Sequence, residues 1–241
     1  MGSVLEKNAI WGGKPGWDCT AQHLTATLSK KRYKGQVKLG PRGALLSKGS
    51  IQKGHKSKGR GSDSLQTIML SLAKGSPPKV ELMAWMALLR KLNTKDRLAT
   101  RGIISAELNK FTFCNNHIED LNHLLLSCQT TWGLWKAIAE DLGEEITLAD
   151  NLRDFFAYWI NRRIVNKTQR KLWLASFFAT LWSLWMHRNE IIFKQHTMDM
   201  QAIYHTIKWR VATWSRAWED DIPYSAQMLA HNFQALPLLF H

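Results

Sequence analysis

The sequence predicts an all-α protein from Ser76 onward, on three observations. Met200, Ile203, Tyr204, Ile207, Val211, Trp214 and Trp218 step by three or four residues and so share one helical face. Helix start and stop signals bracket several other segments. No useful alternation of apolar and polar residues, the mark of a half-buried strand, occurs after Ser76. The expected organisation is a basic, mostly disordered arm over 1–75, a helical hairpin with a Cys/His knuckle over 76–142, a Trp-rich helical bundle over 143–220 and a tail over 221–241.

The arm follows from composition. From Ser29 to Ser62 the chain is rich in Gly, Ser and Lys without a sustained apolar period, and such a segment cannot bury enough surface to offset its chain entropy. Up to Ser62 there are thirteen Lys/Arg against Glu6 and Asp18, about +11, while the rest carries twenty against seventeen, about +3. The net +14 is therefore mostly a property of the arm. The stretch "WGGKPGW" has turn chemistry but no partner element nearby.

At Ser76 the texture changes. Pro77 and Pro78 suit a first helical turn, and "KVELMAWMALLRKL" runs on to Arg90 and Lys91, where cations suit the helix dipole. Asn93 or Thr94 is placed to cap a short second helix, "KDRLATR", and Gly102 stands where a left-handed terminal residue is wanted. "TTWGLWKAIAEDLG" makes a third helix ending at Gly143. Thr147 with Asp150 has capping-box spacing before "LRDFFAYWINRR", and Asn166 with Gln169 gives a similar signal before "RKLWLASFFATLWSLWMHRNEIIF". In that last segment Ser176, Thr180, Ser183 and His187 make one narrow stripe on an otherwise large and apolar helix, which describes a helix enclosed on most sides, with Trp182 and Trp185 as core residues. Ten of the twelve tryptophans lie between Trp85 and Trp218 at helical spacing, the pattern of a core. Asp220 and Asp221 follow Glu219 and read as a solvated end.

Three cysteines, Cys19, Cys114 and Cys128, are an odd number, and the first apolar stretch is broken by Glu6, Lys7 and Asn8, unlike a secretory leader. A reduced, intracellular setting is expected, nuclear rather than cytoplasmic. The longest apolar run, Leu172 to Met186, is fifteen residues, short of the roughly 20 that cross a bilayer, so no membrane is expected.

The stretch "FTFCNNHIEDLNHLLLSC" from Phe111 to Cys128 carries the chemistry. Cys114, His123 and Cys128 stand as Cys-x8-His-x4-Cys, and thiolates with an imidazole suit tetrahedral zinc. A cysteine at 111 would complete a four-ligand set, but Phe111 supplies no lone pair. The knuckle is therefore degenerate: zinc is possible but weakly held, and Phe111, Phe113, Leu121, Leu124 and Leu125 are available to hold it by burial instead. Water, His117 and Cys19 are the other potential ligands.

The run "PPKVELMAWMALLRKLNTKDRLATRGI", the Cys/His stretch with Glu119, "HLLLSC" and Trp135 together resemble the reverse-transcriptase zinc-binding domain at the end of plant non-LTR retrotransposon (LINE) polyproteins and their stranded genomic copies. The resemblance runs from about Ser76 to Trp135 and extends more loosely through "LWSLWMHRNEIIF" to about Trp218. It implies Cys114, His123 and Cys128 as the second, third and fourth zinc ligands, with Phe111 in the first place. It also implies an accessory role beside a polymerase, yet the chain has neither the Tyr/Phe-x-Asp-Asp of a polymerase nor a phosphate-binding loop, since "GGKPG" lacks the flanking strand and helix. No nucleophile sits beside a base either, so the expectation is a non-enzyme.

Two binding functions suit the sequence. The first is weak, sequence-independent binding of RNA or DNA phosphates by the arm, led by Lys30, Lys31, Arg32 and Lys34. The second is a helical module whose Trp-rich faces dock a protein partner. A decayed element fragment without selected activity fits the same residues.

Overall fold

The computed structural model of the chain describes residues 76–218 and 222–239. The arm of residues 1–75, with Lys30, Lys31, Arg32, Lys34 and Cys19, lies outside the described residues. Among the described residues the fold is all-α: no strand forms, and Lys110 and Ile118 meet in an isolated antiparallel bridge.

The first helix, α1 (Pro78–Leu88), starts with proline in its first turn as expected, but stops before Arg90 and Lys91. Arg90 takes the left-handed conformation, φ 55°, and the Lys91 N–H returns to the Met86 carbonyl at 2.7 Å, a Schellman closure that ends the helix there. The second, α2 (Lys95–Thr100), closes in the same way: Gly102 has φ 68° and Ile103 N–H reaches the Leu98 carbonyl. Thr94 stands at its N-cap as expected, but without a side-chain bond to a backbone N–H. The Thr94 hydroxyl bonds the Asp96 side chain, and the Lys95 N–H is taken at 3.0 Å by Oε1 of Glu119, twenty-four residues away.

The third helix, α3 (Gln129–Asp141), ends at Gly143, φ 74°. A Cβ there would also stand 3.0 Å from Pro237, so two constraints call for glycine. The fourth, α4 (Leu152–Ile160), is capped by Asn151, whose Oδ1 accepts from the N–H groups of Arg153 and Asp154, both at 3.0 Å. The Thr147/Asp150 spacing thus marked the wrong residues. Asn166 caps α5 (Lys167–Lys194) as expected, accepting from Thr168 and Gln169. Next comes α6 (Met200–Ser215), which buries Ile203, Ile207 and Val211 and leaves Trp218 beyond its end.

The enclosed character of α5 is borne out: from Leu172 to Leu184 only Trp182 is not buried. Its small polar stripe is satisfied inside the helix, because the hydroxyls of Ser176, Thr180 and Ser183 donate to the carbonyls of Leu172, Ser176 and Ala179 at 2.7–2.8 Å. No helix among the described residues is long and apolar enough to cross a membrane.

The residues expected to trail as a tail fold instead. Helix α7 (Ala226–His231) packs on α6, a 3-10 turn over Phe233–Ala235 packs on α3, and α8 (Leu236–Leu239) follows. Ile222, Leu229, Phe233 and Leu236 are all buried. Four apolar residues in separate short turns give no sustained period, which is why the sequence reads as a tail. The apolar core is continuous from Val80 in α1 to Leu236, with Trp135, Phe155, Trp159, Trp173 and Phe177 at its centre.

Candidate metal centre

The Cys/His stretch is built on a tight reversal between the bridge residues Lys110 and Ile118. The Phe111 N–H donates to the His117 carbonyl at 2.8 Å, and the Asn115 N–H donates back to the Phe111 carbonyl at 2.7 Å. Asn115 takes φ 53°, a left-handed turn that asparagine tolerates better than most residues. The loop so made presents Cys114 toward the helical turn that follows.

That turn is a π-helix over His123–Ser127, closed by the Cys128 N–H on the His123 carbonyl at 3.1 Å. The geometry explains the His-x4-Cys spacing. Residues five apart on an α-helix face about 140° away from each other. Widening the turn brings them back to one side, a device often found at functional sites. The start of the turn is capped by Asp120, whose Oδ1 accepts from Asn122 and His123 at 2.7 and 3.1 Å. Carbonyls left over by the π turn are taken by α3: the Thr131 hydroxyl donates to Leu124 and the Trp135 indole to Leu125, at 3.1 and 2.8 Å.

Cys114, His123 and Cys128 therefore converge, with one ligand atom from each lying within 4.8 Å of the others. Sγ of Cys114 is 3.2 Å from Nε2 of His123, near the ~3.5 Å edge that sulfur and nitrogen span around tetrahedral zinc. Burial pushes the Cys114 thiol up. Hydrogen bonds from the backbone of Asn116, the side chains of His123 and His117 and the backbone of His117 outweigh it and bring the thiol down to about 6, a thiolate at neutral pH. These three groups fit a zinc ion in donor type and spacing.

The first ligand place does not. Phe111 is fully buried, its ring 4.7 Å from Phe113 and edge-on to His123 at 5.3 Å. Phe113, Leu121, Leu124 and Leu125 are buried with it, so the apolar support expected of the knuckle is present. His117 is exposed, but its Nδ1 is 4.0 Å from Cys114 Sγ and its ring centroid 4.8 Å from that of His123.

Cys114 and Cys128 are free thiols that differ sharply in access. Cys128 is only 1% exposed and Cys114 is half-buried. In chelator-treated folded protein at neutral pH, a thiol-alkylating reagent should therefore label Cys114 while sparing Cys128, read by peptide mass spectrometry. Equal labelling of the two would contradict the packing of the π turn.

Glu119 is the part of this site that sequence reasoning could not place. Its carboxylate is fully buried and accepts from Lys95 N–H, from Arg188 of α5 through Nε at 3.1 Å and through Nη2, and from the Thr112 hydroxyl at 3.5 Å. It ties the loop, α2 and α5 together. Arg188 lies sixty-nine residues away, and no local spacing points to it.

Residues 55–135 match the family model described as zinc-binding in reverse transcriptase. The match begins ahead of Ser76, outside the described residues, and it contains Phe111, Cys114, His123 and Cys128. Over this segment the chain is similar to that zinc-binding domain. No curated protein and no solved structure matches the chain.

Proposed function

We propose that the chain is a non-catalytic, retrotransposon-derived accessory protein that binds RNA or DNA weakly and without sequence preference, its basic arm contacting the phosphates and its helical part acting as scaffold. The observation that carries the reading is the match of residues 55–135 to a reverse-transcriptase accessory family in a chain of net charge +14. Cys114, His123 and Cys128 are the residues that would hold zinc, as a structural centre of the knuckle.

Several cations of the folded part are already committed to partners within it. Arg162 pairs with Glu144, Arg170 donates to the carbonyls of Arg162 and Ile160, Arg188 pairs with Glu119, and Lys208 lies 4.0 Å from Asp141. Cations committed inside the fold offer little to a polyanion. The tryptophans that a docking module would present also have internal uses, since Trp135, Trp159 and Trp173 are fully buried.

In the full chain, replacing Lys30, Lys31, Arg32 and Lys34 together with Gln should weaken binding to a single-stranded oligonucleotide of mixed sequence. The plot of log K against log salt should also become shallower, by up to about 0.7 per contact removed. Unchanged affinity and slope would sink the arm as the binding element. A nuclear setting belongs to the same reading.

A further inference from the structure

We propose that His117 replaces the missing first ligand, so that the centre is a Cys2His2 site made by Cys114, His117, His123 and Cys128. A Cys-x2-Cys pair at 111 and 114 would place two donors three residues apart, and Cys114 with His117 has that same x2 spacing one step downstream. The first pair of donors has moved along the loop by three residues, and Phe111 has taken a place in the core.

The backbone supports the substitution. His117 and Phe111 are cross-loop partners, joined by the Phe111 N–H to His117 carbonyl bond, so His117 stands directly opposite the vacated ligand position. The left-handed Asn115 turns the chain back, which brings the His117 imidazole to the sulfur side of the loop. Nδ1 of His117 is 4.0 Å from Cys114 Sγ, about half an ångström beyond the ~3.5 Å tetrahedral edge expected for sulfur and nitrogen ligands. Closing that gap takes a rotation of the His117 side chain, and the ring is exposed. The backbone N–H groups of Asn116 and His117 also hydrogen-bond the Cys114 sulfur, the outer support that ligand thiolates use.

The chemistry is consistent on the other side. Phe111 is packed edge-on to His123, so the ring that displaced a ligand now orients one. Donation from two thiolates and two neutral imidazoles leaves the zinc site uncharged, which suits a centre flanked by the apolar π turn.

The full chain, stripped by chelator and kept reduced, is titrated with cobalt(II) chloride and then with zinc chloride in competition. The expected result is one equivalent of cobalt with the intense visible bands of four-coordinate metal. His117→Gln should weaken zinc binding by on the order of 10–100-fold or more and change the cobalt bands as water enters the fourth position. His205→Gln, on the exposed face of α6, should change neither. X-ray absorption of the zinc-loaded wild-type protein should count two sulfurs and two imidazoles, a readout that needs no variant to fold. No cobalt uptake by the wild type, identical affinity and bands in His117→Gln, a single imidazole, or a third sulfur from Cys19 would each overturn the assignment.

Discussion

Trp173→Ala should destabilise the fold by about 3–5 kcal/mol, the range for removing a fully buried large aromatic side chain. The indoles of Trp159 and Trp173 stack with centroids 3.8 Å apart and planes 8° from parallel. Each Nε1–H then donates to the main-chain carbonyl of the other residue, at 3.0 and 2.9 Å. Two helices are thereby joined by a stacked pair whose polar atoms are satisfied within it, so the pair can be fully buried without a desolvation penalty. Trp173→Phe keeps most of the ring area and loses one hydrogen bond, and should cost less, on the order of 1–2 kcal/mol. Trp209, half-exposed on α6, supplies the control: its alanine variant should stay within about 0.5 kcal/mol of wild type. Chemical denaturation measures all three. A loss below about 1 kcal/mol for Trp173→Ala would mean that the centre of the bundle is not where the stacked pair lies.

Ranking tryptophans this way was beyond the sequence. Periodicity placed Trp182 and Trp185 together in the most enclosed helix, yet Trp185 is 5% exposed whereas Trp182 is half-buried at the surface under the Lys79 ammonium, 5.5 Å from its ring. A hydrophobic pattern reports that a helix is enclosed, but not which of two neighbouring indoles meets the opposing helix. Signals that act within a few residues read well: Asn166 as a cap, Gly102 and Gly143 as left-handed ends, Pro78 in a first turn. They read well because the physics is local, an orphan N–H or a positive φ answered by the next side chain. The Thr147 and Asp150 misreading has the same origin, since an adequate capping pattern stood four residues from the better one at Asn151.

The site divides along the same line. Donor identity at Cys114, His123 and Cys128 is written in residue type and spacing. The π turn that gathers two of them is not, because a five-residue interval reads on an ordinary helix as two opposed faces. His117 was legible only as a nearby imidazole. Its pairing with Phe111 across the loop is a backbone fact.

Removing either partner of the Glu119–Arg188 pair should cost about 3–5 kcal/mol, because it leaves a charge or its hydrogen-bonding groups buried without compensation. Both side chains are within the core, 0% and 5% exposed. Glu119 answers four donors from three parts of the chain, while Arg188 also lies 5.1 Å from the Trp185 ring. Glu119→Leu should in addition fray α2, whose first N–H, that of Lys95, loses its acceptor. Hydrogen exchange at Lys95 and Asp96 would then quicken more than exchange in α6. In Glu119→Leu/Arg188→Met the penalty should fall well below the sum of the single losses, since an apolar pair of similar volume restores burial without stranding a charge. Additive losses would show that the two groups do not share one interaction. A double variant as stable as wild type, still with fast exchange at Lys95, would separate the two roles of Glu119: the ion pair would then be replaceable by packing, and the cap on α2 would be the part that only a carboxylate at 119 supplies.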